Sequence, residues 1–263
     1  MENPAYYQLK SIVKVFRLME LLVTQNEFQL AELCRLLKSP KTTVHRMLLT
    51  LKSLGYVEQN PASLGYIATI KILELGGKVV QNLKFIEVAK PLMIKLSEET
   101  GETINLGIVD GLDVIFIDKV ESNQYLKLDQ PIGFRAKAYH TAMGKAVVAY
   151  LSEDERTRLF SKHTISPGTS KSLKTLSAIE EDLQRVREQG YAVDNEEYII
   201  GARCVGAPIF NHNSEVVAGL SIAGPSLRIK EENIESLAKL ATETAGLISN
   251  GLGSLRGGKS LRK

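Results

Sequence analysis

The chain has 263 residues, 44% of them hydrophobic and 24% charged, enough for a sizeable core and, on length, about two domains. No apolar run approaches the roughly 18 residues of a membrane span and no basic-apolar-small leader opens the chain, so a cytoplasmic protein is expected. Its two cysteines, Cys34 and Cys204, stand far apart, which argues against a disulfide framework, and no His/Cys spacing suggests a metal site or any cofactor.

The net charge of +3 is unevenly spread. Residues 1–76 hold nine Lys and Arg against six Asp and Glu, residues 77–255 hold 20 against 24, and the last eight residues add four more basic side chains. A basic end on an acidic body favours an anionic partner for that end. The tail "RGGKSLRK" has no apolar periodicity and reads as disordered over 253–263.

From about Leu9 to Val23, Ile12, Val15, Phe16, Met19 and Leu22 recur at three- and four-residue steps, the stripe of an amphipathic helix. "FQLAELCRLLK" repeats the pattern over a shorter helix. "SPKTTVHRMLLTLKSLG" then starts with Ser39-Pro40, a cap followed by a first-turn proline, and stops at Gly55. Val44, Leu48, Leu51 and Leu54 are expected to face inward, leaving Lys41, Thr42, Thr43, His45 and Arg46 outside. "GYVEQNPASLGYIAT" bends at Asn60-Pro61 and reads as a hairpin.

Three helices and a hairpin in this order make a winged helix-turn-helix. In that arrangement the front of the third helix enters the DNA major groove while its rear half belongs to the core. Candidate DNA contacts are therefore Ser39, Lys41, Thr42, Thr43, His45 and Arg46, whose hydroxyls and cations suit phosphates and base edges.

The stretch that follows reads as helix, interrupted at Gly76-Gly77 and near Pro91 and stopped at Gly101. From Glu102 the period changes. "TINLGIVDG" and "DVIFIDKV" form a hairpin, with Tyr125 to Gln130 as a further strand. "HTAMGKAVVAYL" is helix, and "SEDERTRLF" and "SAIEEDLQRVREQG" are helices with capping boxes from Ser152 to Glu155 and from Ser177 to Glu180. "RCVGAPIF" and "EVVAGLSIAG" are strands, and Ile234 to Ile248 is a last helix. Mixed order without βαβ alternation implies an α+β domain on an antiparallel sheet.

Alternation on three of these strands suggests a pocket. Asn105 and Gly107, Cys204 and Gly206, and Gly219, Ser221 and Ala223 each form a small or polar face opposite a bulky one. If the small faces align, they leave a hollow with an amide, a thiol and a hydroxyl in it, unless a helix packs closely over the glycines. Thr141 is a plausible helix cap, so the amides of Ala142, Met143 and Gly144 would offer a carboxylate site. Lys145 reads as a helix-surface lysine and His140 as a structural histidine.

Taken together, "SIVKVFRLMELL", "LAELCRLLKSPKTTVHRMLLTLKSLGYV", "TGETINLGIVDG", "AYHTAMGKAVVAYL", "REQGYAVDNEEYIIGARCVGAPIF" and "VVAGLSIAGPSLRI" resemble the IclR family of bacterial transcription regulators, from about Ser11 to Leu252. The resemblance implies a winged helix-turn-helix domain (1–72), a linker helix (73–90) and a GAF-like effector-binding domain (91–252). It also implies a homodimer or homotetramer on a pseudo-palindromic double-stranded DNA operator, more often a repressor. The effector it implies is a small organic acid. By the same resemblance the pocket falls on Ala142, Met143, Asp194 and Cys204, with Ala202 and Leu128 as walls; of the two serines that relatives often carry in a Ser-Ile-Ser strand, this chain keeps Ser221 and has Ala223 in place of the second. "REQGYAVDNEE", "TTVHR" and "LELGGKVVQNL" look closest to the branch controlled by 2-keto-3-deoxygluconate.

Two other readings compete. Cys204, His140 and Asp194 could be a nucleophile, base and orienter. No nucleophile elbow, phosphate loop or metal motif surrounds them, so no enzyme is expected. A DNA-binding protein whose C-terminal domain only oligomerises is the other.

Overall fold

The computed structural model describes residues 9–75, 85–161 and 164–254. The chain divides into two compact units, residues 1–82 and 83–263.

In the first unit, helices α1 (Lys10–Leu22), α2 (Leu30–Leu36) and α3 (Lys41–Ser53) precede a hairpin of β1 (Val57–Gln59) and β2 (Tyr66–Ala68). Phe28 exchanges two backbone hydrogen bonds with Tyr66, adding a third short segment to the hairpin. Its core is Leu18 and Leu22 of α1, Leu33 of α2, the α3 residues Val44, Met47, Leu48 and Leu51, and Val57 and Tyr66 of the hairpin. The apolar stripe expected on α1 is corrected in part: Ile12 and Phe16 are 50% and 60% exposed, while Leu18 is fully buried. Leu54 is likewise 52% exposed, because it is the C-cap beyond the last helical turn, and Met47 fills the inward position.

Gly55 ends α3 as expected. At φ +80° it lets the amide of Tyr56 reach back to Leu51 O and its own amide reach Lys52 O, the paired bonds that close a helix through a left-handed residue. The start differs from expectation. Pro40 rather than Ser39 occupies the cap position, its carbonyl accepting from the amides of Thr43 and Val44. Ser39 is buried and its hydroxyl donates to Leu37 O at 3.1 Å, so it caps nothing. The proline fixes φ without wasting an amide, which makes a side-chain cap dispensable.

The second unit opens with α4 (Phe85–Thr100). This helix runs through Pro91 instead of breaking there. Pro91 is exposed, while Phe85, Ala89, Met93 and Leu96 on the other face are buried in the core and hold the helix across it. The Gly76-Gly77 interruption and half of the expected linker helix, residues 76–84, lie outside the described residues; helix is described on either side, at 71–75 and from Phe85 as the start of α4.

A six-stranded antiparallel sheet follows, built from β3 (Thr103–Asp110), β4 (Asp113–Val120), β5 (Arg135–Lys137), β6 (Ala192–Asn195), β7 (Ala202–Phe210) and β8 (Val216–Pro225). Its spatial order is β5-β4-β3-β8-β7-β6. Residues 125–130 do not form the expected strand. That segment is irregular, held instead by side chains: Arg228 donates to Leu126 O, Lys127 pairs with Glu121, and Lys119 pairs with Asp129.

The remaining helices are α5 (Ala142–Val148), α6 (Glu153–Ser161), α7 (Leu176–Gln189) and α8 (Ile234–Gly251). The Ser152–Glu155 capping box forms, with Ser152 and Glu155 exchanging backbone and side-chain hydrogen bonds. The one expected at Ser177 does not, because α7 starts earlier and Thr175 caps it, accepting from Ala178 N.

The two faces of the sheet part company as strand alternation demands. Ile104, Leu106, Ala207, Ile209, Leu220 and Ile222 face α4 and α8 and form the main core with Met93, Leu96, Ala241 and Ile248. The small face carries α5.

Candidate functional sites

On α3, Lys41, Thr42, His45 and Arg46 are exposed and Thr43 is half-buried. Among the described residues none of these five side chains has a hydrogen bond or ion pair within the protein. Behind them Val44, Met47, Leu48 and Leu51 are buried. The front of the helix is thus a free row of two hydroxyls, an imidazole and two cations, ahead of which the amides of the first turn point outward. That is the chemistry that meets phosphate oxygens and base edges.

The small face of the sheet has two parts. Over Gly107, Gly219 and Gly206 the helix α5 lies in direct contact. A methyl group on Gly206 would come within 2.6 Å of the Ala142 carbonyl, one on Gly219 within 2.7 Å of the Met143 carbonyl, and one on Gly107 within 2.6 Å of the Met143 methyl. Both alternatives the alternation allowed are therefore realised: a helix packs over the glycines, and a hollow remains beside its start.

That hollow holds about 490 Å³ of space free of protein atoms, its open mouth included. Register places its floor in two rows. Ser221 pairs with Asn105 on one side and Gly206 on the other, and Ala223 pairs with Thr103 and Cys204, beyond which Cys204 pairs with Asp194. Thr141, Ala142 and Met143 close one side, Leu128 and Gln130 another, and Tyr198, Ile199 and Ala202 a third. Phe116 adds an aromatic wall, with Phe134 edge-on to both it and Tyr198 at centroid distances of 5.9 and 6.3 Å.

Each polar group has a definite state. Thr141 caps α5 by accepting from Gly144 N at 3.1 Å, and no acceptor among the described residues takes the amides of Ala142 and Met143. Asp194 is 2% exposed and its Oδ1 accepts from the amides of Glu197 and Tyr198 at 2.8 and 3.3 Å. Burial, which outweighs the nearby Lys145, pushes its carboxyl up to about 7. Burial likewise raises the Cys204 thiol, and the Asp194 charge raises it further.

Lys145 is not a surface residue. It is 1% exposed, and its Nζ lies 2.6 Å from Glu197 Oε1, 2.9 Å from Asp182 Oδ2 and 2.6 Å from Val193 O. Burial works against its charge, but the two carboxylates prevail and its pKa is raised. This network ties α5, whose start lines the hollow, to α7 and to the loop that follows β6. No local signal marks it, since the partners lie 37 and 52 positions away in sequence.

All seven residues expected around an effector line this one cavity: Leu128, Ala142, Met143, Asp194, Ala202, Cys204 and Ser221. Asn105 lines it too, as the alternation on its strand allows, while Phe116 and Tyr198 were not anticipated. Of the imagined nucleophile set, His140 stands apart: its Nε2 donates to Ser166 O at 2.8 Å and its ring packs on Tyr139. Among the described residues no hydrogen bond links it to Cys204 or Asp194. No group of three or more His, Cys, Asp or Glu there could hold a metal ion.

A helix-turn-helix whose third helix leaves a polar row free, in one chain with a cavity domain, defines a ligand-responsive DNA-binding transcription regulator. Residues 11–61 match the IclR helix-turn-helix domain and residues 77–250 match the family described as "Bacterial transcriptional regulator IclR C-terminal". The chain is 36% identical over 245 residues to the HTH-type transcriptional regulator KdgR of Escherichia coli (strain K12), covering 93% of each chain. It is 30% identical over 257 residues to the transcriptional repressor IclR of the same strain, covering 96% of this chain and 93% of that one. Among solved structures, Thermotoga maritima IclR superposes with a TM-score of 0.79 at 30% identity, covering 94% of this chain and 100% of that one. The C-terminal domain of E. coli KdgR does so with a TM-score of 0.59 at 35% identity over 64% of this chain and 98% of that one. The protein belongs to the IclR family of bacterial transcriptional regulators.

Proposed function

We propose that this regulator is a repressor released from its operator by a small hydroxy or keto acid of a sugar-acid catabolic pathway, of the 2-keto-3-deoxygluconate type. The observation that carries the reading is the cavity on the small face of the sheet, where free amides meet buried hydrogen-bonding side chains. The effector's carboxylate takes the amides of Ala142 and Met143. Asp194, Cys204 and Ser221 meet its oxygens, and Leu128 and Ala202 wall it. The E. coli KdgR likeness, at 36% identity, supports this choice of branch.

Lys41, Thr42, Thr43, His45 and Arg46 contact the operator. Ser39 is left out because it is buried with its hydroxyl committed. Residues 1–72 read DNA, 73–90 link and 91–252 sense, and the protein acts where DNA is, in the cytoplasm. It works as a homodimer or homotetramer on a pseudo-palindromic site, a reading supported by the apolar row Leu9, Ile12 and Phe16 that α1 and its cap leave exposed.

The test is DNA binding, on fragments the protein itself selects from a random pool, titrated with a panel of sugar acids and keto acids. Release by one acid at sub-millimolar concentration is expected. If no acid alters DNA binding or the melting temperature, the reading fails, and the C-terminal unit is left with oligomerisation alone.

A further inference from the structure

One polar side chain in the cavity lacks a partner. Asn105 stands in the middle of β3, is 4% exposed, and its Oδ1 accepts no hydrogen bond. An amide withdrawn from water and left unpaired costs about 1–3 kcal/mol, and folded proteins leave few such groups. Six side chains among the described residues carry a buried atom without a hydrogen bond, two of which, Arg156 Nε and Asp182 Oδ2, are in ion pairs instead, and of the six Asn105 alone lines the cavity. Its neighbour across the strand pair, Ser221, is 4% exposed, and its hydroxyl has no hydrogen bond to the described residues either.

Position decides what reaches them. The Ala142–Met143 peptide lies directly over Gly206. Gly206 is on β7 and Asn105 on β3, with only Ser221 of β8 between them. Two strand spacings put Asn105 on the order of 10 Å from that peptide, and its side chain stands out from the same face of the sheet, so it does not shorten that span. With about 2.9 Å taken up by a hydrogen bond at either end, the group that meets the carboxamide lies roughly 4 Å along the chain from the carboxylate held on the Ala142–Met143 amides; a sugar acid carries a hydroxyl there and a three-carbon keto acid such as pyruvate carries none. A hydroxyl both donates and accepts, so it satisfies either end of an amide.

We propose that Asn105 is a specificity-determining effector contact, its carboxamide pairing with a hydroxyl on the distal carbons of a sugar acid, so that the cavity selects such acids over three-carbon keto acids. The proposal rests on the effector reading above and adds the residue that discriminates by the presence of a chain hydroxyl. An acid without that hydroxyl leaves the amide as unpaired as it is without ligand; one that carries it offsets the penalty already built into the fold, which is how buried polar groups discriminate between ligands.

The experiment is calorimetric titration of the full chain with 2-keto-3-deoxy-D-gluconate and with pyruvate, for the wild type, Asn105→Ala and Asn105→Leu. The six-carbon acid is expected to bind the wild type more tightly than pyruvate and to lose roughly 5- to 150-fold in both variants, while pyruvate changes by less than about twofold. Ligand-free melting temperatures stay at or above the wild-type value, since no protein partner is lost. Equal losses for both acids, no loss for the six-carbon acid, or a melting temperature several degrees lower in both variants overturns the assignment. If the wild type binds neither these two acids nor any other of the panel, the effector reading itself falls and the proposal falls with it. Binding without discrimination removes Asn105 only.

Discussion

Replacing Lys145 by methionine removes the cation from an enclosed charge cluster and leaves its partners behind. The Glu197 carboxylate, 2.6 Å from Nζ, has a side chain 9% exposed, and Asp182, 2.9 Å away, one 20% exposed. Removing one member of a buried pair costs about 3–5 kcal/mol, because the remaining charge has neither water nor partner. For a domain of this size each kcal/mol moves the melting temperature by about 2–4 °C, so Lys145→Met should melt roughly 6–20 °C lower at pH 8. The loss should shrink at pH 5. Burial already raises the Glu197 carboxyl, Lys145 opposes that rise, and with the lysine gone Glu197 takes up a proton and sheds its charge. Thermal unfolding at both pH values measures the effect, and Lys145→Met combined with Glu197→Gln should recover part of it as a coupling energy. A loss under about 1 kcal/mol at pH 8, or one indifferent to pH, would refute the buried-network account.

Arg46→Ala should weaken specific DNA binding by about 1–3 kcal/mol with unchanged thermal stability, read by anisotropy at fixed salt; undiminished affinity would remove Arg46 from the reading row. For Asp194, whose carboxyl is raised to about 7 from 3.8, the folded state holds its proton more tightly than the unfolded one. Stability is therefore lost as pH rises from about 4 to 7, on the order of 4 kcal/mol. Asp194→Asn keeps the acceptor for the Glu197 and Tyr198 amides, so it should raise the ligand-free melting temperature at pH 8 and change it little at pH 4; an equal shift at both would contradict the buried carboxyl. The Cys204 thiol, raised by burial, should be alkylated slowly at pH 7 and faster as pH rises, and 2-keto-3-deoxy-D-gluconate should protect it. Equal labelling with and without the acid at concentrations that release DNA would place the thiol outside the occupied cavity.

How far each feature was legible depended on how local its cause is. The helix-turn-helix could be read because its signals lie within a few residues: the Pro40 start, the Gly55 stop whose φ of +80° closes the last turn, and polar residues ahead of apolar ones. Even there, Ile12, Phe16 and Leu54 have the right spacing but stay exposed, since periodicity marks a face without saying what covers it. In the sensing unit, alternation alone put Asn105, Cys204 and Ser221 on small faces, a period-two property of each strand, and the family resemblance supplied Asp194, which the register then seats beside Cys204.

The sequence by itself thus determined the type of most elements, the polar row at the front of α3 and which face of β3, β7 and β8 is small. Only the tertiary structure decided that three glycines seat α5 while the residues beside them stay open as a cavity. It also decided that Lys145 is buried between carboxylates drawn from two other elements, and that the 125–130 segment is an irregular wall and not a strand. Each of these depends on contacts between residues far apart in the chain, and such contacts leave no local pattern.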